Sequence, residues 1–151
     1  MIAAQQNKFV NLTPPAAIVD NASLTVAELD TLGWDYCEIL VIMGATDIAM
    51  SALKVTESDT SGSGHADVTG LVFGTSTNTD GDTSALPTAT DDNDIFSFQI
   101  DLRKRKRYLD MTATVGNGTN GAYVTIIAIL SRGREMPSSA AEAGCNQILR
   151  V

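Results

Sequence analysis

The chain has 151 residues and a formal net charge of −8, from 18 acidic and 10 basic side chains. That length suits one domain with a sizeable core. The negative field argues against nucleic acid or an anionic membrane surface as partner, because neutralising phosphates takes a basic face. Thr, Ser, Gly, Asn and Asp are abundant and long helix-forming runs are missing, which points to an all-β chain.

Residues 1–15 read as an extended N-terminal arm in which Phe9, Val10 and Leu12 are isolated apolar anchors and Pro14-Pro15 enforces an extended path. Gln5, Gln6, Asn7 and Lys8 leave no room for the apolar core of a signal peptide, so synthesis in the cytoplasm is expected. The longest apolar run, residues 39–43, is far too short to span a membrane. A short apolar stretch over 16–20 is closed by the turn pair Asp20-Asn21. Leu24, Val26 and Leu29 predict a strand within 23–31 that ends in a turn at Leu32-Gly33.

Residues 34–45 predict a strong strand whose centre, Ile39-Leu40-Val41-Ile42-Met43, is apolar on both faces and is expected to be covered on both. After a turn near Thr46-Asp47, residues 50–57 predict a strand with Leu53 and Val55 inward and Lys54 and Thr56 outward. A loop over 58–64 and a short strand over 67–74 follow, the latter with Leu71 and Phe73 on one side. Residues 75–94 have no period and predict a long loop, of a kind that is usually functional or disordered.

The clearest patterning lies in residues 96–132. Phe96, Phe98, Ile100 and Leu102 alternate with polar residues, as do Leu109, Met111, Ala113 and Val115. The run 122–130 is apolar on both sides and reads as a central, doubly covered strand. Gly116-Asn117-Gly118-Thr119-Asn120-Gly121 predicts a reversal. The other reversal falls on Arg103, Lys104, Arg105, Lys106 and Arg107, read as a hairpin tip, so the three strands are expected to form a meander. Residues 136–151 are expected to be a C-terminal arm with one helical turn over 138–143 and an apolar end at Ile148, Leu149 and Val151. The expected fold is one β-sandwich domain of jelly-roll type over 16–135, with about eight strands.

Catalytic patterns are missing. His65 stands in Gly62-Ser63-Gly64-His65 with no adjacent Cys or carboxylate pattern to fix a tautomer or complete a triad. No phosphate-cradling loop, nucleophile elbow or metal-type His/Cys spacing is present, so neither an enzyme nor a cofactor is expected. Asp80-Gly81-Asp82 and Asp91-Asp92-Asn93-Asp94 offer oxygen ligands of the kind Ca²⁺ takes, but the twelve-residue loop with its closing Glu is missing and solvated acidic loops explain them more simply. Cys37 and Cys145 lie in different settings and are expected to be free thiols. The basic run 103–107 suits a clamp for carboxylates on an acidic partner, since an arginine fork binds a carboxylate at two points.

Five segments together resemble a family: Gly33-Trp34-Asp35-Tyr36, Gly44-Ala45-Thr46-Asp47-Ile48-Ala49-Met50, Leu53-Lys54-Val55-Thr56-Glu57-Ser58-Asp59, the stretch 101–109, and Gly116 through Tyr123. The chain is similar to the small structural proteins of tailed bacteriophages and prophages that are taken as capsid decoration, or cement, proteins. The resemblance spans roughly residues 17–135. It implies a β-sandwich on the virion exterior that binds the major capsid protein and holds capsomers together against internal DNA pressure. It carries over no binding residue.

A homo-oligomer is expected, a trimer by closed symmetry. Its candidate interface consists of the five basic residues with Phe9, Val10, Leu12, Ile148 and Leu149. The alternative is a carbohydrate-binding β-sandwich on a tail or baseplate, using Trp34, Tyr36 or the loop 75–94.

Overall fold

The structure, a computed structural model, describes residues 3–13 and 17–149. The expectations placed on Pro14-Pro15 and Val151 therefore lie outside the described residues. A short 3-10 turn, Ala3–Gln6, precedes β1 (Lys8–Thr13), β2 (Leu29–Asp30), β3 (Trp34–Thr46), β4 (Met50–Ser58), β5 (Ala66–Val72), β6 (Ile95–Asp101), β7 (Tyr108–Val115) and β8 (Ala122–Gly133). A second 3-10 turn, Leu102–Lys104, follows β6.

The strands form two antiparallel four-stranded sheets. The front sheet has the order β1-β8-β3-β6 and the back sheet β2-β7-β4-β5. One core lies between them, where Ile39, Val41 and Met43 of β3 and Ile126 and Leu130 of β8 meet Leu53, Val55, Leu109 and Ala113 of the back sheet. Each fully buried aliphatic side chain contributes about 1.5–3 kcal/mol. The all-β class and the inward sets read from period-two alternation are as expected.

The meander is not found. β6 pairs with β3, β7 with β4 and β2, and β8 with β3 and β1. Alternation fixes which side of a strand is dry but carries no information on its partner. Residues 102–107 and 116–121 both cross from one sheet to the other, so the basic run is an inter-sheet corner rather than a hairpin tip. Among the named strands, only the step from β4 to β5 stays within one sheet.

The N-terminal segment also differs from the arm expected of it. Lys8–Thr13 is an edge strand of the front sheet, with Val10 packed on the core and Leu12 only 3 % exposed within it. Val10 and Leu12 are two residues apart and face the same side, so the chain's own core covers them. The C-terminal segment protects that edge: Phe9 N–H donates to the Ala143 carbonyl at 2.9 Å. Gly144, at φ +75°, lies so close to the Phe9 carbonyl that a Cβ would collide with it. Ala143 N–H donates to the Ser139 carbonyl and closes one turn, while Leu149 is left almost fully exposed.

Residues 23–31 yield only a bridge between Ser23 and Thr114 and the two-residue β2. The loop 75–94 is folded rather than loose. Met50 N–H donates to the Pro87 carbonyl, Met43 N–H to the Asp94 carbonyl, and Thr46 N–H to Asp92 Oδ1. Phe73 meets Phe96 and Phe98 edge-on and closes the side where β5 and β6 lie.

Candidate functional site

The basic corner begins at Asp101, the last residue of β6. Its carboxylate accepts Arg103 N–H at 3.1 Å, capping the 3-10 turn, and also takes the Arg103 fork, from Nε at 2.9 Å and from Nη2 at 2.6 Å. That fork holds the Asp101 carboxyl down to about 2 and raises Arg103 further. Arg107 grips Asp30 in the same manner, and Arg105 reaches Glu57 Oε1 at 3.4 Å while Lys106 N–H donates to Glu57 Oε2. The three arginines expected to clamp an acidic partner are thus engaged with carboxylates of their own chain. The Lys104 and Lys106 ammonium groups make no ion pair among the described residues.

The Tyr36 ring, at the start of β3, has two guanidinium neighbours, Arg103 and Arg132, each 5.1 Å from its centroid. Arg132 has φ +51° and, among the described residues, no ion pair. Strand register places Lys8, Arg134 and the basic corner at this same end of the sandwich.

The opposite end is acidic. There Asp20 accepts Gly118 N–H, and Asp47 accepts the backbone N–H groups of Thr119, Asn120 and Gly121, bonds that hold the Asp47 carboxyl below its usual range. Asp91, Asp92 and Asp94 flank the same end, and no Lys or Arg among the described residues joins them. These bonds fix the loops but leave the charges uncompensated.

The two outer faces contrast. Tyr108, Asp110, Thr112 and Thr114 of β7 line the back sheet's outer face, beside Lys54, which pairs with Asp67. On the front sheet the outward residues include Phe9, Leu40, Ile42, Ile127, Ile129 and the 60 % exposed Ile95, none of which belongs to the core or packs against it, and beside them stands Glu38, whose carboxylate accepts from Ser97 Oγ at 3.0 Å and from Gln99 Nε2 at 3.5 Å. The sequence reading expected β3 and β8 to be covered on both faces. They are central strands, but their outer side chains are only half-buried. Of the expected interface residues, Phe9 is on this face, Val10 and Leu12 are turned inward, and Ile148 and Leu149 are exposed in the C-terminal segment.

The remaining candidates gather little chemistry. His65 Nε2 lies 3.1 Å from Glu28 Oε2, off the line a hydrogen bond needs, so the contact is Coulombic. The sequence reading missed this carboxylate because it lies on a distant segment. Ser61 Oγ and Gly62 N–H donate to Glu28 rather than to His65, so no nucleophile is activated.

Among the described residues no group of three or more His, Cys, Asp and Glu is arranged to hold a metal ion. The Asp91 carboxylate accepts from Thr88, and Asn78 organises the turn at Asp80-Gly81-Asp82. Trp34 packs partly on the core and lines an open groove with Arg134, Glu135 and Glu142. No helix among the described residues is long and apolar enough to cross a membrane.

A scan against protein-family models finds no match, and a search of curated proteins finds none either.

Proposed function

We propose that this chain is a structural virion protein that works by surface contact, binding the outside of a tailed-phage capsid and cementing its capsomers. The observation that carries this reading is the contrast between the outer faces. One is polar, whereas the other carries the half-buried Leu40, Ile42, Ile127 and Ile129 across its two central strands, with Glu38 beside Ile129. A face of that kind marks a site of protein contact. Among the described residues no concave site brings reacting groups together beside it, and the Lys104 and Lys106 ammonium groups supply a second, charged contact region. The capsid as partner comes from the sequence resemblance.

The strand order supports a jelly-roll topology. Orders 1-8-3-6 and 2-7-4-5 alternate the chain between sheets in the manner of two nested Greek keys. The C-terminal segment, tied to β1 at its start and free at Leu149, leaves an end available to a neighbouring subunit.

The test is a reconstruction of particles made with and without the gene for this chain. Density on the outer surface of the head that vanishes with the gene is expected. Identical heads, or density that vanishes only from the tail, would overturn the reading.

A further inference from the structure

We infer, independently of the proposed function, that Asn117 and Asn120 are sites of spontaneous deamidation which the carboxylates of Asp20 and Asp47 hold closed in the folded chain.

Asn117-Gly118 and Asn120-Gly121 are the two Asn-Gly pairs of the sequence, every other asparagine being followed by a residue with a side chain. In an open loop such a pair cyclises, because glycine sets no side chain in the way of its own nitrogen. The glycine nitrogen bonds to the asparagine Cγ, and the side-chain amide leaves as ammonia, taking the N–H proton with it. Water then opens the cyclic imide at either carbonyl and leaves aspartate or its β-linked isomer. Asn117 and Asn120 are both exposed, so water has access to them.

The fold requires glycine at both positions. A Cβ at Gly118 would collide with the Asp47 carboxylate, and one at Gly121, where φ is +95°, with the Val19 carbonyl. The corner that carries the chain into β8 therefore keeps the unhindered nitrogens.

Protection comes from what those nitrogens bind. Gly118 N–H donates to Asp20 Oδ1 at 2.7 Å, and Gly121 N–H donates to Asp47 Oδ1 at 2.9 Å. To attack, each nitrogen must give up its proton, which means breaking a bond to a charged acceptor and forming an anion beside a negative charge. Asn120 is restrained at the leaving group as well. Its Nδ2 donates to Asp47 Oδ2 at 3.1 Å and its backbone N–H to the same oxygen at 2.7 Å. One carboxylate thus holds the nucleophile and the leaving group of the same reaction.

Damage here would reach the sandwich. Ala122, the residue after Gly121, exchanges both main-chain hydrogen bonds with Val19, at 2.9 and 2.8 Å, and pairs with Thr46 of β3. A β-linked residue at 120 lengthens the main chain next to that junction, and an aspartate there sets like charge against Asp47.

The test keeps the full chain at mildly alkaline pH and follows aspartate and its isomer at 117 and 120 by peptide mass spectrometry. The folded parent should convert at both sites at least about tenfold more slowly than the parent in denaturant. Asp20→Ala should speed conversion at Asn117 alone and Asp47→Ala at Asn120 alone. Each gain should be about ten- to a hundredfold, the factor that one hydrogen bond to a charged group supplies. Circular dichroism shows whether each variant is folded; if Asp47→Ala is not, the parent comparison and Asp20→Ala still decide. A folded parent that converts as fast as the denatured one at either site would overturn the inference. So would a folded variant that converts no faster than the parent, or one that speeds both sites equally, since that marks a loosened corner rather than a freed nitrogen.

Discussion

Arg107 and Asp30 meet through two parallel hydrogen bonds, Nε to Oδ1 at 2.8 Å and Nη2 to Oδ2 at 2.7 Å. This fork ties β2, only two residues long, to the start of β7. The Arg107 carbonyl accepts from both the backbone and the hydroxyl of Thr31 as well. So short a strand has little ladder of its own, and the bidentate pair fixes its position.

Replacing Arg107 by Gln is therefore expected to loosen residues 29–31 while leaving the sandwich folded. Hydrogen exchange should rise at Thr31 and be unchanged in the centres of β3 and β8. Unchanged protection at Thr31 would assign the position of β2 to Leu29 burial alone.

Acid should release the corner. The Asp101 carboxyl is depressed to about 2 from an ordinary 3.8 by its fork with Arg103 and the capped Arg103 N–H. A depressed carboxyl contributes stability that is fully present above the ordinary value and is lost as pH falls through the folded value. Thermal melts of the parent and Asp101→Asn should differ at pH 5 in the parent's favour, and the gap should close between pH 3.8 and about 2. A gap independent of pH would mean that the charge plays no part.

Leu12 separates a strand from an arm. Leu12→Ala is expected to lower stability by about 2–5 kcal/mol in urea unfolding, because it empties part of a closed core. Leu149→Ala, at a site that is 96 % exposed, should stay within about 0.5 kcal/mol. Equal, small effects would return the N-terminal segment to the status of an arm.

The two thiols should react unequally. Burial pushes the Cys37 thiol up to about 12, with the nearby Glu38 carboxylate adding to the shift, and Cys37 faces the core. Cys145 is half-exposed in the C-terminal segment. A thiolate-directed alkylating reagent should modify one thiol per folded chain at neutral pH and two after denaturation. Modification of Cys37 in the folded chain would contradict the packing of β3.

The strands legible in the sequence were those with strong alternation. Leu109, Met111, Ala113 and Val115 mark the inward side of β7. Their partners were not legible, since pairing depends on how distant strands register, and so β6, β7 and β8 read as a meander although they lie in alternate sheets.

The basic run was visible, but its engagement was not, because Asp30 lies 77 residues from Arg107 and Glu57 lies 48 from Arg105. Leu40 and Ile127 did give a signal. Apolar residues on both sides of β3 and β8 announced two dry faces, and sequence cannot say whether the second is covered by the same chain or by another.

The front face as a contact surface is the central claim, and reconstitution on phage heads that lack this protein tests it most directly. Parent and Thr112→Lys proteins should saturate the outer surface, while Ile127→Lys, equally well folded, should leave it bare. Full occupancy by Ile127→Lys would contradict the account.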